Sequence, residues 1–149
     1  MDGLDRAIIS ELEHNGRISN VELAERIGLT PGPCLRRVQR LEADGVILGY
    51  RAVVSPSAVG RDFEVLLDVD LDGFRRATLM EFEQTMESFD EVLEVHRLFG
   101  TPDYHVRVAV ENLEAYEQFL TGKVMAIPGI ANVNSRFPMK SIKSLRPSG

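Results

Sequence analysis

The sequence predicts an α+β protein in two parts, a bundle of three short helices followed by a βαββαβ unit. Apolar residues recur at helical spacing as far as Asp44, and beyond Gly60 the period drops to two. Of 149 residues, 44% are hydrophobic and 27% charged, globular values that exclude a disordered or fibrous chain and allow one domain or two small ones.

The first helix is expected at Leu4–His14, where Leu4, Ile8, Ile9 and Leu12 share a face before Asn15-Gly16. Ser19-Asn20-Val21-Glu22 reads as a capping box, in which the serine oxygen takes the Glu22 N–H and the Glu22 side chain returns to the Ser19 N–H. The helix it starts runs to about Ile27, with Val21, Leu23, Ala24 and Ile27 offered to a core, and Gly28 closes it. Thr30 is the expected N-cap of the third helix. Pro31 and Pro33 fall in its first turn, where the N–H groups lack intrahelical acceptors. This helix reaches Ala43 or Asp44 and stops at Gly45. Val46-Ile47 and Tyr50–Val54 read as short extended segments, which makes the helical unit winged-helix-like, and Ser55–Gly60 reads as a linker.

In the second part Phe63, Val65, Leu67, Val69 and Leu71 alternate with mostly polar neighbours, a strand ended by Asp72-Gly73. Leu79, Phe82 and Met86 mark a helix closing near Ser88, and Val92–Phe99 a less regular strand. Gly100–Asp103 is a turn by composition, and Tyr104, Val106, Val108 and Val110 alternate again. Leu113, Tyr116, Phe119 and Leu120 form a helix face, Pro128-Gly129 turns the chain, and Ala131, Val133, Phe137 and Met139 line the last strand. This order is the ferredoxin-like arrangement, an antiparallel sheet with both helices on one face. Residues 140–149 read as a basic, frayed tail. The expected domains are therefore 1–60, a helical domain with its linker, and 61–149, the α+β domain.

Charge sharpens the division. The net charge is −6 and the pI about 5.1, which argues against nucleic-acid binding through bulk charge. Residues 1–60 nevertheless hold 7 Lys/Arg against 8 Asp/Glu, and residues 61–149 hold 10 against 15. The window 30–41 carries Arg36, Arg37 and Arg40 and no acid. On a helix these arginines fall within about 100° of one another, away from Cys34, Val38 and Leu41. A phosphate backbone meets local charge, so this window outweighs the pI. No apolar run approaches the ~18 residues of a membrane span, and an acidic start predicts no secretory leader. One cysteine forms no internal disulfide and fits a reducing cytosol.

Helices two and three, joined by a tight glycine turn, form a helix-turn-helix pattern. Its recognition helix would present Thr30, Gly32, Pro33, Arg36 and Arg37 to a major groove ~12 Å wide, with Arg40 one turn on and Ser19 and Asn20 at the preceding helix start. A planar guanidinium bonds bidentately to guanine or to phosphate. On residue types alone, a solvated charged face or a protein-binding module stays open.

Three stretches resemble the Lrp/AsnC (leucine-responsive, or feast/famine) family: Gly16–Ala24, Gly28-Leu29-Thr30-Pro31 and Asp44–Tyr50. Gly100-Thr101-Pro102-Asp103-Tyr104 is similar to that family's G-x-x-D-Y turn, so the resemblance covers nearly the whole chain. It implies a prokaryotic transcription factor that dimerises through the sheet domain, often assembles further and responds to a small amino acid. A cytoplasmic, nucleoid-associated regulator of double-stranded DNA follows, with no enzyme activity, no cofactor and no membrane partner. An amino-acid effector needs an acceptor for its ammonium, which Asp103 offers, and donors for its carboxylate near Gly100 and Thr101. Pro102 removes one such donor, and Tyr104 completes the motif. The resemblance puts the pocket between neighbouring dimers, with Ser135, Arg136 and Phe137 as walls. Arg136 suits leucine poorly. Without the resemblance, Asp103 reads as an ordinary turn residue.

The remaining polar groups suggest less. Cys34 falls on an apolar face, where an inert buried thiol is expected, and His14 ends a helix. Asp68, Asp70 and Asp72 read as a solvated strand face. His96 and His105 flank the turn without a third metal ligand. Two rival readings stay open. One is an enzyme resembling the siroheme decarboxylases, which act on a tetrapyrrole, with His96, His105, Arg97 and Arg107 as its candidates; the other is a sensor whose helix-turn-helix no longer binds DNA.

Overall fold

A computed structural model describes residues 1–145. The chain divides into two compact units, Met1–Ala52 and a second that begins at Val53. Residues 55–60, expected as linker, thus go with the second unit together with Val53 and Val54, and they hold a 3₁₀ turn at Ser57–Val59.

The first unit packs α1 (Gly3–His14), α2 (Asn20–Ile27) and α3 (Pro31–Ala43) around Ile8, Leu23, Ala24, Cys34 and Leu41, all buried. Helix α1 carries a capping box the periodicity did not reveal. Asp2 accepts from the Asp5 N–H (2.9 Å), and the Asp5 carboxylate takes the Asp2 N–H (3.1 Å). At α2 the expected box is half made: Ser19 accepts from the Glu22 N–H (3.1 Å), but the Glu22 carboxylate pairs with Arg26 (3.4 Å). Gly28 closes α2 at φ 75°, a left-handed conformation that suits glycine. Val21 faces solvent, because the core lies on the Leu23/Ala24 side of α2. No wing strand forms among the described residues of this unit. The Val46 and Ile47 N–H groups instead both donate to the Leu41 carbonyl (2.9 and 3.0 Å), closing α3.

The second unit is one antiparallel sheet, β2-β3-β1-β4, built from β1 (Phe63–Leu71), β2 (Val92–Arg97), β3 (Tyr104–Val110) and β4 (Ile130–Arg136). Helices α4 (Arg76–Ser88) and α5 (Leu113–Phe119) cross over, and a π turn at Leu120–Val124 extends α5. Val65, Leu67, Val69, Tyr104, Val106 and Val108 are buried against Phe82, Met86, Tyr116 and Phe119, which puts the core on one face of the sheet. Burying one such side chain contributes about 1.5–3 kcal/mol.

Two expectations shift. Leu113 is exposed at the first turn of α5. The β1–β4 register slips between Asp70 and Leu71, so Leu71 pairs with Ile130 and Asp70 with Asn132. Ala131 is the extra residue of this bulge and faces solvent, Ile130 taking its place against the core. Met139 is exposed beyond the strand. Residues 140–145 of the expected tail form no helix or strand, and 146–149 lie outside the described residues.

Two outcomes are expected. Gly129 turns the chain at φ 87°, and a Cβ there would overlap the Thr78 methyl carbon. Gly129→Ala should cost at least about 1–2 kcal/mol in chemical denaturation, the left-handed backbone cost; Thr78→Ala in the same chain should restore only the part due to the clash. Second, the Asp5 N–H, and after it the Arg37 guanidinium, hold the Asp2 carboxyl down at about 2 against an ordinary 3.8. A depressed folded value stabilises above the unfolded value and is lost as the pH falls through the folded one. Thermal stability of the wild type should therefore drop more steeply than that of Asp2→Asn between pH 3.8 and about 2.

Candidate functional site

The start of α3 is held by its neighbours. Asn20 Nδ2 donates to the Pro31 carbonyl (2.8 Å), tying the first turn of α3 to the start of α2. Thr30 occupies the N-cap position with extended backbone, but its side chain makes no cap bond and stays exposed. Gly32 is open, with Arg36 Nη1 3.6 Å from where its Cβ would be, and Pro33 is half-buried.

The expectation of an acid-free arginine face is corrected by α1. Arg37 Nη1 lies 2.9 and 2.8 Å from the two Asp2 carboxylate oxygens and 2.9 Å from Asp5 Oδ1. Arg40 Nη2 lies 3.1 and 2.9 Å from the two oxygens of Asp5. Asp5 is the one buried charged side chain among the described residues. Its N-cap hydrogen bond from Asp2, and then Arg37, keep it below the usual carboxylate range against the opposing effect of desolvation. The acids come from more than thirty residues away, beyond any window centred on α3. Arg36 is exposed and has no ion pair among the described residues. The sequence signal for the acids was present as Asp2 and Asp5, spaced three apart at a helix start.

In the second unit the β2–β3 turn is pinned to the end of β1. Asp103 Oδ2 accepts from the Leu71 N–H (2.9 Å), and the Asp103 N–H donates to Asp70 Oδ1 (3.0 Å). Asp103 is therefore more than a turn residue bonding its own loop, and its Oδ1 has no protein hydrogen bond among the described residues. Gly100 turns at φ 92°, and the Thr101–Pro102 bond is cis. Tyr104 points the other way. It is buried among the helices, its ring centroid 4.5 Å from that of Phe82, and it donates to Glu83 Oε1 (2.7 Å). Burial, and after it the Glu83 carboxylate, pushes its phenol up to about 12, so it remains a donor.

The C-terminal candidates separate by face. Ser135 turns to the helix side, where it hydrogen-bonds the Tyr116 hydroxyl (2.5 Å), and Phe137 packs beside Phe63 and Tyr116. Arg136 lies on the opposite sheet face, 3.0 Å from Asp68. The register sets Arg136 opposite Leu66, five residues along β1 from Leu71, or roughly 17 Å. One chain thus does not bring these three residues to the Gly100–Asp103 turn.

The carboxylates expected on a solvated face are largely engaged. Asp68 takes Arg136 and lies 3.2 Å from His105 Nδ1, and Asp70 takes the turn N–H. His96 stands opposite His105 in register, but among the described residues no group of His, Cys, Asp or Glu could hold a metal ion. Arg97 pairs with Glu83, and Arg107 with Glu64, so these residues of the enzyme reading sit in ion pairs. The reading of the sequence missed the Glu83–Arg97–Tyr104 network, which borders a cleft of about 370 Å³ between α4 and β2. No helix among the described residues is long and apolar enough to cross a membrane.

Residues 1–47 match a family model described as winged helix-turn-helix DNA-binding, and residues 64–148 one described as Lrp/AsnC ligand binding domain. The chain is 33% identical over 143 residues to the leucine-responsive regulatory protein of Haemophilus influenzae, covering 96% of this chain and 86% of that one. A transcriptional regulator from Neisseria meningitidis, solved as a complex with L-Met, superposes with a TM-score of 0.92 at 31% identity, covering 97% of this chain and 93% of that one. An AsnC family transcriptional regulator from Agrobacterium tumefaciens gives 0.90 at 34%, covering 97% and 94%. The model over residues 64–148 and the relatives that span nearly the whole length, with a DNA-binding model over residues 1–47, lead to one conclusion: this chain belongs to the Lrp/AsnC family of DNA-binding transcriptional regulators.

Proposed function

We propose that the chain is an amino-acid-responsive regulator whose residues up to about 60 read double-stranded DNA. The residues from about 61 dimerise and bind the effector. The observation that carries the DNA reading is Arg36, an exposed guanidinium on the first two turns of α3 with no acid partner among the described residues. Thr30 and Gly32 share that open end, and Ser19 sits at the start of α2 as a phosphate neighbour. Asn20, Arg37 and Arg40 are engaged within the unit, Asn20 on the Pro31 carbonyl and the two arginines on Asp2 and Asp5, and so hold α3 against its neighbours. Two-fold pairing of chains would set two recognition helices about one DNA turn, ~34 Å, or a multiple of it apart. Such a protein works where the DNA is, in the cytoplasm.

The effector end is the Gly100–Asp103 turn. Asp103 Oδ1 and Asp70 give it a negative rim suited to an α-ammonium, and the Gly100 and Thr101 N–H groups suit a carboxylate. Ser135, Arg136 and Phe137 would join it only from a second copy, so the pocket needs an assembly. The L-Met bound to the Neisseria relative supports an amino acid as the ligand class and makes methionine the first to test.

Binding to a fragment from upstream of the chain's own gene, measured across a salt titration, tests this reading. Tight binding that weakens steeply with salt is expected, and no binding at low salt rejects it. Arg36→Ala should weaken that specific binding by about 1–3 kcal/mol with little effect on random duplex; equal losses on both would reassign Arg36 to phosphate. Asp103→Asn keeps an acceptor for the Leu71 N–H while removing the charge. It should bind DNA normally and lose its response to amino acids, and a normal response would move the effector site elsewhere.

A further inference from the structure

We infer that Asp2 is a specificity-determining residue: it occupies the Arg37 guanidinium as a phosphate would, and so keeps the recognition helix from binding DNA regardless of sequence. The inference rests on the DNA reading above and concerns which cations of the helical unit meet DNA.

A guanidinium fork accepts carboxylate and phosphate in the same geometry. On α3, Arg37 meets three carboxylate oxygens within 2.9 Å and Arg40 two within 3.1 Å, all from α1. Two cations facing two anions leave Arg36 as the one arginine of the recognition helix with no acid partner among the described residues. The two acids are not alike. The Asp5 side chain is 2% exposed and caps α1 as well, so it belongs to the fold. The Asp2 side chain is 55% exposed and lies where a phosphate oxygen could displace it.

Each phosphate neutralised by a cation adds sequence-independent affinity, and discrimination is the ratio of specific to random binding. Holding Arg37 on Asp2 lowers the random term. In a chain of net charge −6, one guanidinium more or less at the groove is a large fraction of the local attraction.

The test uses the full chain and a short random-sequence duplex, with Asp2→Asn as the main variant. Asparagine is as good an N-cap as aspartate, so α1 keeps its start. Glu13→Gln removes an exposed acid of the same helix that pairs with no cation among the described residues, and it measures the effect of bulk charge. Asp2→Asn should bind random duplex at least about threefold more tightly than Glu13→Gln, with a salt slope steeper by about 0.9, the value for one added phosphate on B-DNA. Arg37→Gln should leave the wild-type slope unchanged, and Asp2→Asn/Arg37→Gln should lose the gain. Equal gains for Asp2→Asn and Glu13→Gln, or a gain that survives Arg37→Gln, overturns the inference while the DNA reading stands. If wild type and every variant fail to bind at low salt, the DNA reading itself falls.

Discussion

A strand whose side chains alternate with period two presents one apolar face and one polar face, and the second unit is organised around that constraint in β1. Val65, Leu67, Val69 and Leu71 must leave water together, so both crossover helices lie on their side of the sheet. The intervening residues Glu64, Asp68 and Asp70 then share the other face, where Glu64 meets Arg107, Asp68 meets His105 and Arg136, and Asp70 takes the Asp103 N–H. The hydrophobic face sets the layers. The polar face, by pairing charge across strands, holds the register that carries Asp103 to the end of β1.

The same division of labour operates among the three helices. Apolar packing through Ile8, Leu23, Cys34 and Leu41 brings α1 against α3 and determines which polar side chains can meet. Burial also pushes the Cys34 thiol up, which suits an inert core residue. The carboxylates of α1 then serve twice, as caps for their own helix and as partners for Arg37 and Arg40. A helix with three arginines and no acid as far as Leu41 presents, among the described residues, one guanidinium without an acid partner, and the chain reconciles an acidic whole with a helix suited to a polyanion.

The regular elements were legible in the residues because their signals are local. Periodicity of 3.6 or 2, Gly28 and Gly45 as stops, and the proline pair at the start of α3 act within a turn or two of where they stand. The G-x-x-D-Y turn and the helix-turn-helix segments were legible as a family likeness, and they located both candidate regions. Asp2 and Asp5 were visible as residues, but their partners were not. Neither was the bulge that expels Ala131, nor the strand that orients Ser135 and Arg136 to opposite faces.

Those features share a physical reason. An ion pair between α1 and α3, or the hydrogen bond from Leu71 to Asp103, joins residues more than thirty positions apart, and its formation depends on how two buried faces pack. Fold class, element order and the chemical character of each surface follow from spacing and residue type. Which arginine is free, which carboxylate oxygen has no protein partner, and which candidate residues stand together follow from packing, because charge compensation is settled by neighbours in space.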